Sequence, residues 1–421
     1  MKKTLYAGLL FFSFLVIYYI GSFSKIPFAD CVGFVLITEL DTFETVAIST
    51  SHILYCNTAI LINKITGLGA IESNRFLVIF SAAFSVLFVY LTVRNLTKTN
   101  WNAAVAAIVF GFSFTFWKNA EIVEVYTYNA LWIILFYLCM INSFVSKKNK
   151  NYIIFAGIFL GISIWVHIQN FLLIPAYILF LFYFKSEKKN VIYSLLSFAI
   201  IFSSIFILNL SQGYPLLSPF SSNQGHWIED SFQKTFTQYA LDLVKSVAYL
   251  LYNFNVFVIA GIIGMIKLYR ENRKMFNIFF LASVLIYGFA TFYAVSDNYI
   301  FFLPFNIVFA LAIGYGLTSG KRLYFKKLSW ICVLTPVLYY LAFSISISFV
   351  PQAKKFDDFK SYKGGLTYYM LPWMNKNKGI LEFVIDKKTS PEPINWMIES
   401  AETYIQELKK KGYTESEIRK L

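Results

Sequence analysis

The chain has 421 residues, of which 57% are hydrophobic and 14% charged, and its mean hydropathy is +0.59. A soluble domain carries roughly 25% charged residues, so this balance excludes a water-soluble globular protein. The formal charge of +14 resides largely in short basic loops between apolar runs, which makes nucleic-acid binding an unnecessary reading.

The N-terminal stretch MKKTLYAGLLFFSFLVIYYIG reads as an uncleaved first span, because its apolar run is long for a signal peptide and Ser22-Phe23-Ser24 is a weak cleavage site. Ten further apolar segments predict an all-α polytopic membrane protein of about eleven helices: 4–21, 75–95, 101–117, 128–146, 151–167, 169–184, 190–210, 253–269, 275–294, 299–318 and 328–349. Such runs match helices crossing roughly 30 Å of hydrocarbon, not the short alternating strands of a barrel. The segment 52–63, HILYCNTAILIN, is too short to cross and reads as an interfacial helix. Three long outer segments remain: 22–74, about 211–252, and the tail 351–421.

Charge orients this arrangement. With the N-terminus inside, eighteen basic residues and two acids fall on inner positions; the tail aside, six basic residues and eleven acids fall on outer ones. Basic loops favour the cytoplasm, so the tail is expected outside. In it, Ile394, Met397, Ile398, Ala401, Ile405 and Leu408 recur at helical spacing, Gly412 is placed to end that helix, and Thr414 with Glu417 forms a capping box. The tail is expected to be a short helical cap. Cys31 and Cys56 share the first outer loop and pair there or stay free; Cys139 and Cys332 fall inside apolar spans.

Candidate chemistry lies on the outer side. In FWKNAEIVEVYTYNALW, Glu121 and Glu124 sit between two apolar runs, where carboxylates need water, a partner or a bound cation. The first outer loop offers Asp30, Glu39, Asp41 and Glu44; Asp30 lies near the end of the first span and is a candidate general base. All three histidines, His52, His167 and His226, fall on the outer half, as do Lys118 and Asp297. No P-loop, dinucleotide fingerprint or nucleophile elbow occurs.

At these residues the chain resembles the membrane proteins related to the transmembrane-type protein O-mannosyltransferases, once filed as a domain of unknown function, within the C-type (GT-C) glycosyltransferase fold. FWKNAEIVEVYTYNALW is similar to the family's F-W-x-x-A-x-x-x-E-V-Y-x-x-N stretch. LGISIWVHIQNFLLIPA resembles its Leu-Gly-to-His segment, with His167 on the histidine. SDNYIFFLPFNIVFALAIGYGL resembles its Asp-x-Tyr-x-Phe-Phe-x-Pro span, with Asp297 on the aspartate. ADCVGF resembles the start of its first-loop acidic motif. The similarity runs over about residues 1–320. Two departures stand out: Val32 and Gly33 replace the family's Gly-Glu after Asp30, and His52 comes later and lacks two following prolines.

The resemblance implies a GT-C-like transmembrane domain over 1–350 followed by an extracytoplasmic tail. It implies an inverting hexosyltransferase, mannosyltransferase-like, that takes sugar from a polyprenyl-phosphate donor to an extracytoplasmic protein, lipid or glycan. Asp30 would be the base. Lys118 and His167 would face the leaving phosphate, while Glu121, Glu124, His52 and Asp297 would line the pocket. The resemblance names no certain cofactor, and a divalent cation stays open. The alternatives are a non-enzymatic transporter or binder of lipid-linked sugar, or a degenerate assembly subunit. Abundant Lys, Asn, Ile and Phe hint at an AT-rich bacterial genome, hence an inner membrane with the N-terminus cytoplasmic and the C-terminus periplasmic.

Overall fold

The computed structural model describes residues 2–48, 50–146, 149–220, 226–295, 298–319 and 329–421, and among them every regular element is a helix. From the N-terminus these are α1 (Lys2–Gly21), α2 (Cys31–Leu40), α3 (Ile53–Thr66), α4 (Ala70–Thr97), α5 (Asn100–Gly111), α6 (Phe114–Ala120), α7 (Tyr126–Val145) and α8 (Tyr152–Val166). A 3-10 turn (Ile168–Leu173) leads into α9 (Ile174–Tyr183), followed by α10 (Lys188–Ser211), α11 (Trp227–Phe232), α12 (Phe236–Phe254), α13 (Phe257–Glu271) and α14 (Arg273–Phe292). The 3-10 turn Asn298–Phe302 leads into α15 (Leu303–Gly316), and the turn Trp330–Leu334 into α16 (Thr335–Phe349). The tail adds five short helices: Pro351–Phe359, Gly365–Met370, Ile380–Ile385, Asn395–Lys410 and Glu415–Ile418. Prolines open α9, α15 and α16, where the missing N–H removes no helical bond.

The chain is an integral membrane protein of the expected helical class. Among the described residues seven helices are long and apolar enough to cross a membrane, and up to nine if each of two bent pairs is one span. Of the eleven expected segments, 151–167 and 169–184 are present as shorter apolar helices. The expected span 253–269 is cut by a 101° corner between α12 and α13. Asn255 takes a positive φ of 42° there, a conformation asparagine tolerates better than most residues. The expected span 101–117 bends by 68° between α5 and α6. Ser113 turns the chain, and its hydroxyl bonds back to the Phe110 carbonyl at 2.7 Å.

Buried α4 packs against α1, α5 and α7, and α7 in turn against α8. Helices α13 and α15 meet backbone to backbone. A Cβ on Gly264 would lie 2.7 Å from the Ala312 carbonyl carbon, and one on Gly316 would lie 2.8 Å from the Gly264 nitrogen. Small residues at such a crossing permit close dispersion contact where lipid offers no hydrophobic drive. A second apolar cluster joins the first loop to the tail and reaches the ends of α4, α7 and α8: Phe28, Cys31, Val35, Tyr55 and Cys56 pack with Ile380, Phe383, Tyr404, Leu408 and Ile418. Thr414 and Glu417 form the expected capping box, and Gly412 follows the end of helix Asn395–Lys410 at φ 90°. All four cysteines are free and buried.

Candidate active site

The first loop leaves α1 and doubles back into α2. Ala29 adopts φ 93°, and Asp30 occupies the N-cap position of α2, half-buried. The next residue, Cys31, points its thiol at Glu124 Oε1, 4.0 Å away. Burial, then the fields of Glu124 and Asp30, push that thiol well above its ordinary range. Asp30 and Glu124 therefore flank one buried cysteine. The second acid beside Asp30 comes from the 121–124 segment. Of the loop's own acids, Glu39 pairs with Lys411 at 2.5 Å and Asp41 with Lys64 at 2.9 Å. The Glu44 carboxyl is raised by burial.

From Glu124 the chain enters α7 through Tyr126, whose ring lies 5.7 Å from His167. His167 stands 5.1 Å from His52, ring to ring, and 5.9 Å from Phe301. His167 occupies the break between α8 and the 3-10 turn with φ −151°. Sequence reasoning passed over the asparagines that hold this break. The Asn170 side chain donates to Asn129 Oδ1 at 2.5 Å and to the Ser163 carbonyl at 2.8 Å. His52 takes φ 35° ahead of α3, and its Nδ1 lies 3.2 Å from the Val166 carbonyl. Burial lowers the His52 pKa from 6.5 to about 4, so its ring is neutral at ordinary pH. His52 also lines a small cleft with Ser51, Trp165, Ile168 and Pro219.

Lys118 and Glu121 are both engaged by the tail. Lys118 is wholly buried; its ammonium donates to the Tyr368 carbonyl and lies 3.5 Å from the centre of the Tyr368 ring. Glu121 Oε1 accepts from Trp117 Nε1 at 2.6 Å, and Oε2 accepts from the Met374 N–H at 3.0 Å. Burial raises the Glu121 pKa well above the carboxylate range, against the pull of those two donors. Both oxygens thus already serve protein donors, so a sugar hydroxyl would compete for them. His226 is exposed, with Glu229 at 2.6 Å. Asp297 lies outside the described residues, but the chain just after it is pinned to the site: the Phe301 carbonyl accepts from Gln169 Nε2 at 2.7 Å. Among the described residues no group of three or more His, Cys, Asp and Glu side chains is arranged to hold a metal ion.

The structure thus brings Asp30, Glu124, His167 and His52 into one contiguous wall, with Lys118 and Glu121 under the tail. The family model for the N-terminal domain of the protein O-mannosyl-transferase TMEM260 matches residues 52–191. That match holds Lys118, Glu121, Glu124, His167 and His52 and begins after Asp30. No curated protein matches the chain. The fold is that of the GT-C enzymes. ArnT from Cupriavidus metallidurans in the apo state aligns at TM-score 0.61 and 12% identity, covering 100% of this chain and 77% of its own. The same protein bound to undecaprenyl phosphate aligns at TM-score 0.59 and 12% identity, covering 99% and 76%. The Archaeoglobus fulgidus oligosaccharyltransferase, in complex with Zn and sulfate, aligns at TM-score 0.52 and 12% identity over 83% of this chain and 56% of that one.

Proposed function

We propose that the chain is a membrane glycosyltransferase that moves a hexosyl group, mannose-like, from a polyprenyl-phosphate donor to an extracytoplasmic protein, lipid or glycan, with inversion. The observation that carries this reading is the likeness, over 99% of the chain, to a fold solved with undecaprenyl phosphate bound. The O-mannosyltransferase family match over residues 52–191 supports the same class.

Asp30 is the base in this reading. Half-buried at the start of α2, it takes the proton of the acceptor hydroxyl as the oxygen attacks the anomeric carbon. The bond from that carbon to the phosphate oxygen breaks on the opposite face, and the lipid phosphate leaves with the electron pair. Charge that develops there is stabilised by groups fixed in advance in a dry site. The buried Lys118 supplies a positive field and His167 a ring dipole. Neutral His52 acts beside it as a hydrogen-bonding group, and Glu121, Glu124 and Asp297 shape the pocket. The basic inner loops favour an inner-membrane protein with a cytoplasmic N-terminus and a periplasmic tail.

The test is transfer of labelled sugar from polyprenyl-phosphate donors to an envelope extract by purified protein, wild type beside Asp30→Asn. Transfer by wild type alone is the expected result. Equal transfer by both removes Asp30 from the base role, and transfer by neither with a broad donor set overturns the enzyme reading.

A further inference from the structure

The tail is the part of the molecule that the reading above leaves without a role, and one of its residues reaches both halves of the site. Tyr368 lies in the helix Gly365–Met370. Its carbonyl accepts from the Lys118 ammonium and its ring lies 3.5 Å from the same group. Its hydroxyl donates to the Phe28 carbonyl at 3.3 Å, two residues before Asp30. Burial, then Tyr299, Cys31, Glu124 and Tyr369, push that hydroxyl well above the ordinary phenol range, so it is a permanent donor that faces the Cys31–Glu124 pair. The surrounding segment is fixed by further bonds. Tyr252 donates to the Met370 carbonyl at 2.6 Å, and the Met374 N–H bonds to the Gly21 carbonyl at 2.8 Å.

We propose that Tyr368 is a positioning residue of the candidate site: its ring and carbonyl hold the Lys118 ammonium while its hydroxyl anchors the turn that carries Asp30. The inference rests on the glycosyltransferase reading above. Its physical basis is a requirement of inverting transfer: the base and the group facing the leaving phosphate work on opposite sides of one carbon. Their separation must hold within about 0.5 Å for efficient reaction. Asp30 sits on the first loop and Lys118 on the buried turn α6, so their spacing depends on whatever is bonded to both. Tyr368 is bonded to Lys118 and to the Phe28 carbonyl in the loop that carries Asp30. A cation resting on an aromatic face in a desolvated place is attracted by the ring's negative face, which holds one position of a flexible lysine.

The experiment uses the full chain in lipid nanodiscs, as wild type, Tyr368→Phe, Tyr368→Ala and, as control, Thr367→Ala at the exposed neighbouring position. Two readouts are taken. The first needs no activity: the rate at which N-ethylmaleimide labels Cys31, resolved by peptide mass spectrometry, since Cys31 is fully buried in the intact site. The second is kcat and the donor KM for sugar transfer. In Tyr368→Ala the Cys31 labelling rate is expected to rise about tenfold as the turn opens locally, and kcat to fall about a hundredfold with donor KM within threefold. Tyr368→Phe keeps the ring over Lys118 but loses the bond to the Phe28 carbonyl, so Cys31 labelling is expected to rise severalfold and kcat to fall about tenfold, between wild type and Tyr368→Ala; wild-type labelling in this variant overturns the anchoring role of the hydroxyl. Thr367→Ala is expected to match wild type in both. A well-folded Tyr368→Ala with wild-type labelling overturns the proposal, and so does raised labelling with unchanged kcat. If wild type transfers no sugar, the glycosyltransferase reading fails on its own, and the labelling arm still decides whether Tyr368 anchors the Asp30 turn.

Discussion

Replacing Gly21 with alanine should release the tail from the site, and the structure gives the size of the effect. Gly21 ends α1 directly against Glu121. A Cβ there would lie within 2.6 Å of all three atoms of the Glu121 carboxylate, whereas ordinary contact begins at 3.4 Å. Even the farthest of the three, Oε2, must retreat by 3.4 − 2.6 = 0.8 Å, and Oε1 by more. The Met374 N–H to Oε2 distance, now 3.0 Å, then stretches to about 3.8 Å, beyond hydrogen-bonding reach, and the Trp117 bond is strained with it. The Met374 N–H keeps the Gly21 carbonyl at 2.8 Å, but the buried Glu121 carboxylate loses a donor, which costs about 1–3 kcal/mol. At about 2 kcal/mol, the fraction of molecules with the tail lifted rises roughly thirtyfold. Trypsin reads this directly, because Lys376 and Lys378 are exposed just beyond Met374 and cleavage tracks the opened population when closing is fast. The decisive arm is the double variant with Glu121→Ala. With the blocking carboxylate gone, Gly21→Ala should add less than about 0.5 kcal/mol, a coupling of neighbours that independent sites do not show. Equal effects of Gly21→Ala in both backgrounds would refute the idea that Glu121 transmits the clash to the tail.

Three other changes test separate parts of the molecule. Because burial holds His52 at about 4 against an ordinary 6.5, the unfolded chain binds the proton more readily. Stability should therefore fall as pH drops from about 6.5 to about 4, and His52→Phe should flatten that slope in pH-dependent thermal unfolding. Asn129→Ala strips the Asn170 amide of its 2.5 Å acceptor and should lower stability by about 1–3 kcal/mol. The double variant with Asn170→Ala should cost less than the sum of the two, as measured by thermal midpoint in detergent. Gly264→Val forces a side chain into the Ala312 backbone across the α13–α15 crossing and should abolish monodisperse protein on size exclusion. Gly288→Ala, with nothing within 4 Å of its new Cβ, should leave the profile unchanged.

Most of the membrane helices were legible because a long apolar run is a strong local signal. Segments such as 75–95 and 190–210 fall inside the observed α4 and α10. The signal failed where a polar residue bends an apolar run without proline or glycine to announce it. At Asn253-Phe254-Asn255-Val256 composition favours one continuous span. The corner is fixed instead by tertiary bonds: the Asn253 amide oxygen accepts from the Thr115 N–H at 2.9 Å and the Asn255 side chain bonds to Thr335. Those partners are distant in sequence, so no window of residues contains the information.

The site divides in the same way. Glu124 and His167 could be singled out because polar groups beside apolar runs are costly, and the structure sets them on one wall, through Tyr126. What could not be read is which acid stands at Cys31, next to Asp30 in the chain. The first loop offers Glu39, Asp41 and Glu44 as nearer acids in sequence, yet two of these are tied to lysines at the loop's edge. The carboxylate at Cys31 belongs to Glu124, which returns from beyond α4, α5 and α6. The tail was hidden for a further reason. Its amphipathic helix Asn395–Lys410 is visible by periodicity, but Tyr368, Trp373 and Met374 lie in a stretch with no regular pattern, and they act through main-chain atoms as much as through side chains. A carbonyl and an N–H are present at nearly every residue, so composition cannot mark the ones that matter. The loop and the tail share one apolar cluster, and that shared burial brings those main-chain groups onto Lys118 and Glu121. A site wall made this way tolerates changes in tail sequence as long as the cluster is kept. It fails when the cluster is opened, even with every candidate catalytic side chain intact.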